Sequence, residues 1–295
     1  MLTARTRRDL LKISATAVLA PIAFAADHNT LGRKLGVVSA SFGSHFSNKG
    51  GPMSLIDFPK FLRDELDLEV IDFNSMNFDS FAPDYLDKLR TAVADAGCIA
   101  TNLKMNQKVD MNSPKAETRA EAMRVFKQSI DAARHLGLRW VRPLPLSERP
   151  DMDRHVAAYR ELIDYASERG ITVLIENFGW MMDDPDSVIT LADRIGRDKV
   201  GIGIDTGNWS DNEVRYPALE KTLPLAVTCD FKAKAMTEDG EHPAYDLKRC
   251  FDIGWDAGFR GPWCFEHGGR DLKILKRNMG RLRDSLRGWM AERDA

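Results

Sequence analysis

Hydrophobic and polar positions follow two rhythms along the chain. Short apolar runs begin at Leu35 (LGVVSA), Leu68 (LEVIDF), Cys98 (CIATNLK), Leu138 (LRWVRP), Thr172 (TVLIEN), Val200 (VGIGID), Ala226 (AVTCDFK) and Gly261 (GPWCFE). Between them lie stretches whose apolar residues return at helical spacing: Ser54–Glu65, Asp84–Ala96, Lys115–Leu136, Asp151–Arg169, Asp186–Ile195, Arg215–Leu223 and Asp246–Gly258. A last such stretch covers Asp271–Ala291. The runs predict strands and the stretches predict helices. Gly97, Gly137, Gly170 and Gly258 close four of the helical stretches, as a left-handed C-cap requires.

Eight strands, each followed by a helix, predict a closed parallel barrel, a (β/α)₈ TIM barrel forming a single domain over residues 26–295. The competing architecture, an open doubly wound sheet, usually carries a glycine-rich phosphate turn after an early strand, and none is present. The chain shows no internal repeat, low-complexity segment or interdomain linker.

The first 25 residues depart from this pattern. Arg7-Arg8 and Leu10-Leu11-Lys12 precede an apolar stretch from Ile13 to Phe24, which ends in Ala23-Phe24-Ala25. A charged segment, a short apolar segment and an A-x-A site make an export signal, and the paired arginines resemble a twin-arginine signal. The apolar stretch is short for a membrane span, so no stable anchor is expected after cleavage. The expected destination is the periplasm, reached through the twin-arginine machinery. Cleavage after Ala25 would move the net charge from −2 to −5. With no basic stripe, nucleic acid is not an expected partner. The four cysteines lack metal-type spacing and are expected as buried thiols, because twin-arginine substrates generally fold before export; a Cys229–Cys250 bridge is the exception left open.

Chemistry in such a barrel gathers where the strands end. Strand five ends in Glu176-Asn177, strand six in Asp205 followed by Thr206-Gly207-Asn208-Trp209, and strand eight in Glu266-His267. Strand seven carries Asp230 and Lys232, two apart and so on one face. Four consecutive strands thus put an acid at one rim. Crowded like charges need a cation or shared protons between them.

The segments VLIENFGW, GIGIDTGNW, AVTCDFKAK and GFRGPWCFEHGG resemble the xylose isomerase-like barrels of sugar isomerases and epimerases. The resemblance implies a divalent-metal site on Glu176, Asp205, Asp230 and Glu266. Two positions depart from the family pattern: Asp230 stands where members carry His, and Asn208 stands where many carry another His. Hard carboxylate donors favour Mg²⁺ or Mn²⁺ over Zn²⁺. Alternatively, Lys232 among the acids would supply the cation itself.

The expected catalytic pair is Glu176 and Glu266, and the expected substrate-binding residues are Asn208, Lys232, Trp180, Trp209, Arg142 and His45. Trp180 and Trp209 follow strand ends and suit stacking on a sugar ring, or loop packing. Arg142 suits a substrate anion or hydroxyl, or a rim salt bridge. Lys104 and Asp72 also lie near strand ends. His45 sits in the glycine-rich segment SFGSHFSNKGG, expected as a flexible lid. His267 points away from Glu266 by strand alternation.

The implied activity is proton transfer next to a carbonyl of a small carbohydrate, as in isomerisation or epimerisation. A 3-keto-glycoside lyase or hydratase would use the same step. A non-catalytic periplasmic sugar-binding protein is the rival of another class, and DNA repair on the same barrel is disfavoured by the acidic charge. Self-association into a homo-oligomer is left open.

Overall fold

The structure, a computed structural model, describes residues 31–145 and 147–295. The export signal expected over residues 1–25 lies outside the described residues. Eight parallel strands close into one barrel in chain order: β1 (Leu35–Val38), β2 (Val70–Asn74), β3 (Ile99–Met105), β4 (Trp140–Pro143), β5 (Thr172–Ile175), β6 (Gly201–Asp205), β7 (Thr228–Lys232) and β8 (Trp263–Glu266). Pairing of β1 with both β2 and β8 completes the ring.

The outer helices are α1 (Phe58–Leu66), α2 (Pro83–Asp95), α3 (Ala116–Leu136), α4 (Met152–Ser167), α5 (Ser187–Ile195), α6 (Asn212–Thr222), α7 (Leu247–Asp256) and α8 (Leu272–Asp294). Two differ from the sequence pattern at their starts. The first begins at Phe58 rather than Ser54, with Pro59 in its opening turn, where a missing N–H costs nothing. The sixth begins before Arg215 because the Asp211 side chain accepts from the Val214 amide at 2.9 Å and caps it. Gly97, Gly137, Gly170 and Gly258 all have positive φ. All four cysteines are buried free thiols, so the Cys229–Cys250 bridge is not formed.

Strand alternation divides the side chains into two sets. Val37, Ile71, Phe73, Leu103, Met105, Val141, Val173, Ile175, Ile202, Ile204, Phe231 and Phe265 belong to the main core that the helices cover. The residues between them point the other way, into the barrel. Part of this inner set is apolar, with Val38, Val70 and Cys264 in one cluster and Trp140 and Leu174, joined by Leu31 from ahead of β1, in another. Another part is charged: Asp72, Lys104, Arg142, Glu176, Asp205 and Asp230 are all buried. The barrel interior is therefore filled partly with hydrocarbon and partly with a buried cluster of ionisable groups.

The segment expected as a lid is ordered and packed at its start and exposed over residues 47–50. Ser39–His45 forms a 3₁₀ helix, and Phe42 and Phe46 pack on Phe58 at centroid distances of 5.3 and 5.2 Å. Burial of these rings holds the segment down. The His45 ring donates from Nε2 to the Gly269 carbonyl at 2.9 Å, joining the loop after β1 to the loop after β8.

Gly36 shows how tightly the apolar part is built. It pairs in register with Val70, and a Cβ there would lie 2.4 Å from the Val70 carbonyl oxygen. Gly36→Ala should therefore force β1 and β2 apart. The expected cost is about 1–3 kcal/mol of overpacking, read as a lower denaturant midpoint. An unchanged midpoint would contradict this packing.

Candidate active site

The strand register sets the charges. Asp205 on β6 lies beside Asp230 on β7, Lys232 on β7 beside Glu266 on β8, and Lys104 on β3 beside Arg142 on β4. Two neighbouring positions are thus both acidic and two are both basic. Each pair alone would repel. The repulsion is relieved across the barrel, because β3 and β7 stand opposite each other in the ring of eight.

Lys104 makes the crossing. Its Nζ donates to Glu176 Oε2 at 2.8 Å and to Asp230 Oδ2. Arg142 Nε lies 2.8 Å from the same Glu176 oxygen, in charge contact but off the line of a hydrogen bond, while its NH1 donates to Asn106 Oδ1 at 2.8 Å. On the other side, Lys232 Nζ reaches Glu266 Oε1 at 2.5 Å, Asp205 Oδ2 at 3.1 Å and Asn208 Oδ1 at 3.0 Å. Asn208 Nδ2 in turn lies 3.4 Å from Glu176 Oε1 and links the two halves. The Asn177 side chain both accepts from the Asp205 amide and donates to its carbonyl, which fixes β6 beside β5.

Burial and charge compete at each group. At Glu176 burial pushes the pKa up, but Arg142 and Lys104 reverse it and hold the carboxyl at about 2. At Asp205 burial prevails over Lys232 and lifts it to about 6. Burial also drives Asp230 well above the usual carboxylate range, against the pull of Lys104. Burial works against the charge of Lys104 and Lys232, yet their carboxylates overcome it and keep both pKa values above the ordinary lysine range. Asp72 is fully buried on β2, is raised by burial, and takes hydrogen bonds from Thr101 and Asn102.

The other candidate residues are placed as follows. Trp180 sits in the 3₁₀ turn Gly179–Met181 after β5, part-exposed, with the Arg149 guanidinium 5.6 Å from its ring centroid. Trp209 is 2% exposed and belongs to the main core. His45 is tied to Gly269 as described above. His267 donates from Nδ1 to the Ala233 carbonyl and accepts at Nε2 from Asn278, so its ring braces the β7 and β8 ends. The central role of Lys104 was not apparent from the sequence. The signal that could have found it is Asn102 and Lys104, two apart and so on one face of a strand whose only other polar residue is Thr101.

Among the described residues, Glu176, Asp205 and Asp230 each offer an oxygen within 4.8 Å of the others, a spacing that could hold a metal ion. Glu266 stands outside this triad. The donor set does not otherwise fit a divalent ion. Each of the four carboxylates is already in contact with Lys104, Arg142 or Lys232. A divalent ion about 4 Å from one of these ammoniums would meet a repulsion of roughly 8 kcal/mol at an effective dielectric of about 20. Only Asp230 Oδ1 is buried without a partner within the triad.

A parallel barrel with its ionised groups gathered at the carboxyl ends of the strands has its polar centre where barrel enzymes carry their chemistry. The chain belongs to the xylose isomerase-like TIM barrel family, whose sequence model matches residues 65–293. No curated protein is close enough in sequence to match it. Among solved structures it is similar to a D-allulose 3-epimerase from Methylomonas sp., at 13% identity and a TM-score of 0.69, covering 88% of this chain and 98% of that one. It is also similar to a xylose isomerase domain protein from Planctomyces limnophilus, at 16% identity and a TM-score of 0.65, covering 89% and 98%. The 3-keto-D-glucoside 4-epimerase of E. coli matches at 14% identity and a TM-score of 0.66, covering 86% and 99%. At such identities the likeness is one of fold.

Removing Lys104 alone should strand buried acids. Lys104→Met is expected to cost about 3–5 kcal/mol in chemical denaturation. Lys104→Met combined with Asp230→Leu should recover part of that loss, since the second change removes the orphaned carboxylate. A double variant as unstable as the sum of its parts would show that the two groups are not coupled.

Proposed function

We propose that this protein is a carbohydrate-active enzyme of the isomerase/epimerase type, transferring a proton at a carbon next to a carbonyl. The observation that carries the reading is where the charge cluster opens. The side chains of Glu176, Asp205 and Asp230 are at most 5% exposed, whereas Glu266 is 23% and Lys232 14% exposed. A substrate entering at the strand ends therefore meets a carboxylate and an ammonium held in contact.

In this reading Glu266 takes the proton from the carbon. The electron pair left behind moves onto the carbonyl oxygen, and Lys232 donates a hydrogen bond to the oxyanion that forms. Protonation of the same carbon from the other face, by a water there while Glu266 gives its proton up to solvent, yields an epimer; return of the proton from Glu266 to the neighbouring carbon, with a proton passing between the two substrate oxygens, yields an isomer. Loss of a β-substituent instead gives elimination, the lyase alternative. Glu176 was expected to share the proton transfer. It lies deeper than Glu266, with Lys104 and Arg142 against it. Asn208 and Arg142 complete the polar wall, with the part-exposed Trp180 as the ring available for stacking.

Family membership supports a sugar substrate, as do the names of the structural neighbours, which include epimerases of a keto-sugar and of a 3-keto-glucoside. Mg²⁺ or Mn²⁺ assistance, the other form of this reading, would use the triad Glu176, Asp205 and Asp230 and would require Lys104 to yield its partners.

Free keto-hexoses and 3-keto-glycosides are the substrates to try, with products separated by chromatography. Glu266→Gln should lower kcat by about 10²–10⁴-fold while the substrate still binds. Full activity per folded molecule in that variant would remove Glu266 from the chemistry. Binding without turnover in the unmodified protein would favour the sugar-binding rival.

Export through the twin-arginine route belongs to the same proposal and rests on Arg7-Arg8 and Ala23-Phe24-Ala25. Changing both arginines to Lys should leave uncleaved precursor in the cytoplasm. Normal periplasmic accumulation of that variant would rule out this route.

A further inference from the structure

We propose that this site carries its own cations, Lys104 as the counter-ion of the acidic triad and Lys232 as the group that meets the substrate oxygen, and takes no divalent metal ion. The part given to Lys232 rests on the proton-transfer reading above; the part given to Lys104 does not.

The case stands on what occupies the donor oxygens. In a metal centre made of Glu176, Asp205 and Asp230, each carboxylate would turn an oxygen to the ion. Here Glu176 Oε2 and Asp230 Oδ2 turn to one ammonium, Lys104 Nζ, and Asp205 Oδ2 turns to another, Lys232 Nζ. A lysine on the rim would swing aside for an ion. Lys104 has no such freedom, because its side chain is 3% exposed and runs from β3 toward the opposite wall. Its neighbour in register is Arg142, already against Glu176, so withdrawal toward β4 meets a like charge.

Lys232 is held as firmly, but facing the opening. Its amide donates to Thr206 Oγ1 at 3.0 Å, and its carbonyl accepts from the Tyr245 hydroxyl. Gly207 lies so close that a Cβ there would be 3.0 Å from Lys232 Cβ and Cδ. Arg215 fixes the loop that carries Gly207 and Asn208, donating to the Thr206 and Trp209 carbonyls at 2.9 and 3.0 Å. The stem of Lys232 is thereby clamped and its ammonium aimed at Asp205, Asn208 and Glu266. An ammonium in this position can donate a hydrogen bond to a developing oxyanion, which is part of what a Lewis acid would supply. Lys104 is a positioning residue, since it touches only the acids.

The test needs no substrate. The full chain is purified without chelator, its metal content is measured by mass spectrometry, and its melting temperature is compared with Mg²⁺, with Mn²⁺ and with EDTA. The expected result is far less than one metal per chain and no shift with any addition. Near-stoichiometric metal, stripped by EDTA with a fall in melting temperature and restored by Mn²⁺, would overturn the proposal. A second variant tests Lys104 directly. Lys104→Ala, or Lys104→Gln if the first does not fold, should gain stabilisation by Mn²⁺ that the unmodified protein lacks, because the triad has lost its ammonium. A folded variant that gains none would overturn the claim that Lys104 stands in the place of an ion. Turnover is scored separately: metal-free protein with no activity on any keto-sugar leaves the Lys104 assignment standing and counts against the proton-transfer reading.

Discussion

One buried ammonium organises the upper half of this barrel. Lys104 runs from β3 toward β7 and also takes in Glu176 at the end of β5. A lysine with a 3% exposed side chain survives ionised only if its partners outweigh the lost hydration. Those partners are themselves buried acids that would repel one another without it. The requirement is mutual. Neither the acids of β5 and β7 nor the cation of β3 is tolerable in the interior alone, so the strands carrying them must meet in one register.

From that constraint the rest of the rim follows. With Lys104 and Arg142 engaged on Glu176, the remaining negative charge of Asp205 and Glu266 falls to Lys232. Lys232 can serve it only if its own strand end is rigid. The loops between strands and helices supply the rigidity through Arg215, Tyr245 and His267, each bonded to a main-chain carbonyl of the rim. A charged site held by such bonds is pre-organised, with its dipoles fixed before a substrate arrives.

Departures from the family pattern gain a physical meaning here. Asp230 and Asn208 replace imidazole donors that the resemblance leads one to expect, and both bind ammonium groups instead: Asp230 accepts from Lys104 and Asn208 from Lys232. Imidazole has one acceptor nitrogen and becomes a cation on protonation, so it would suit neither lysine well. The two substitutions and the two lysines are thus consistent with each other as one change of counter-ion.

Much of the architecture was legible along the chain. The alternation of short apolar runs with helical stretches gives the eight units, since inward and outward burial leaves a local trace in every strand and helix. The acids Glu176, Asp205, Asp230 and Glu266 were visible because each interrupts or ends an apolar run. Other features were not legible. That Lys104 would be the hub, that Trp209 would be packed into the core, and that the segment around His45 would be a buried 3₁₀ helix depend on contacts between residues far apart in sequence. Period and composition report which face a side chain takes. They carry no record of what stands opposite. The sequence by itself determined which strand ends bear charge; barrel closure alone decided which charges meet, because only the ring's register brings β3 across from β7.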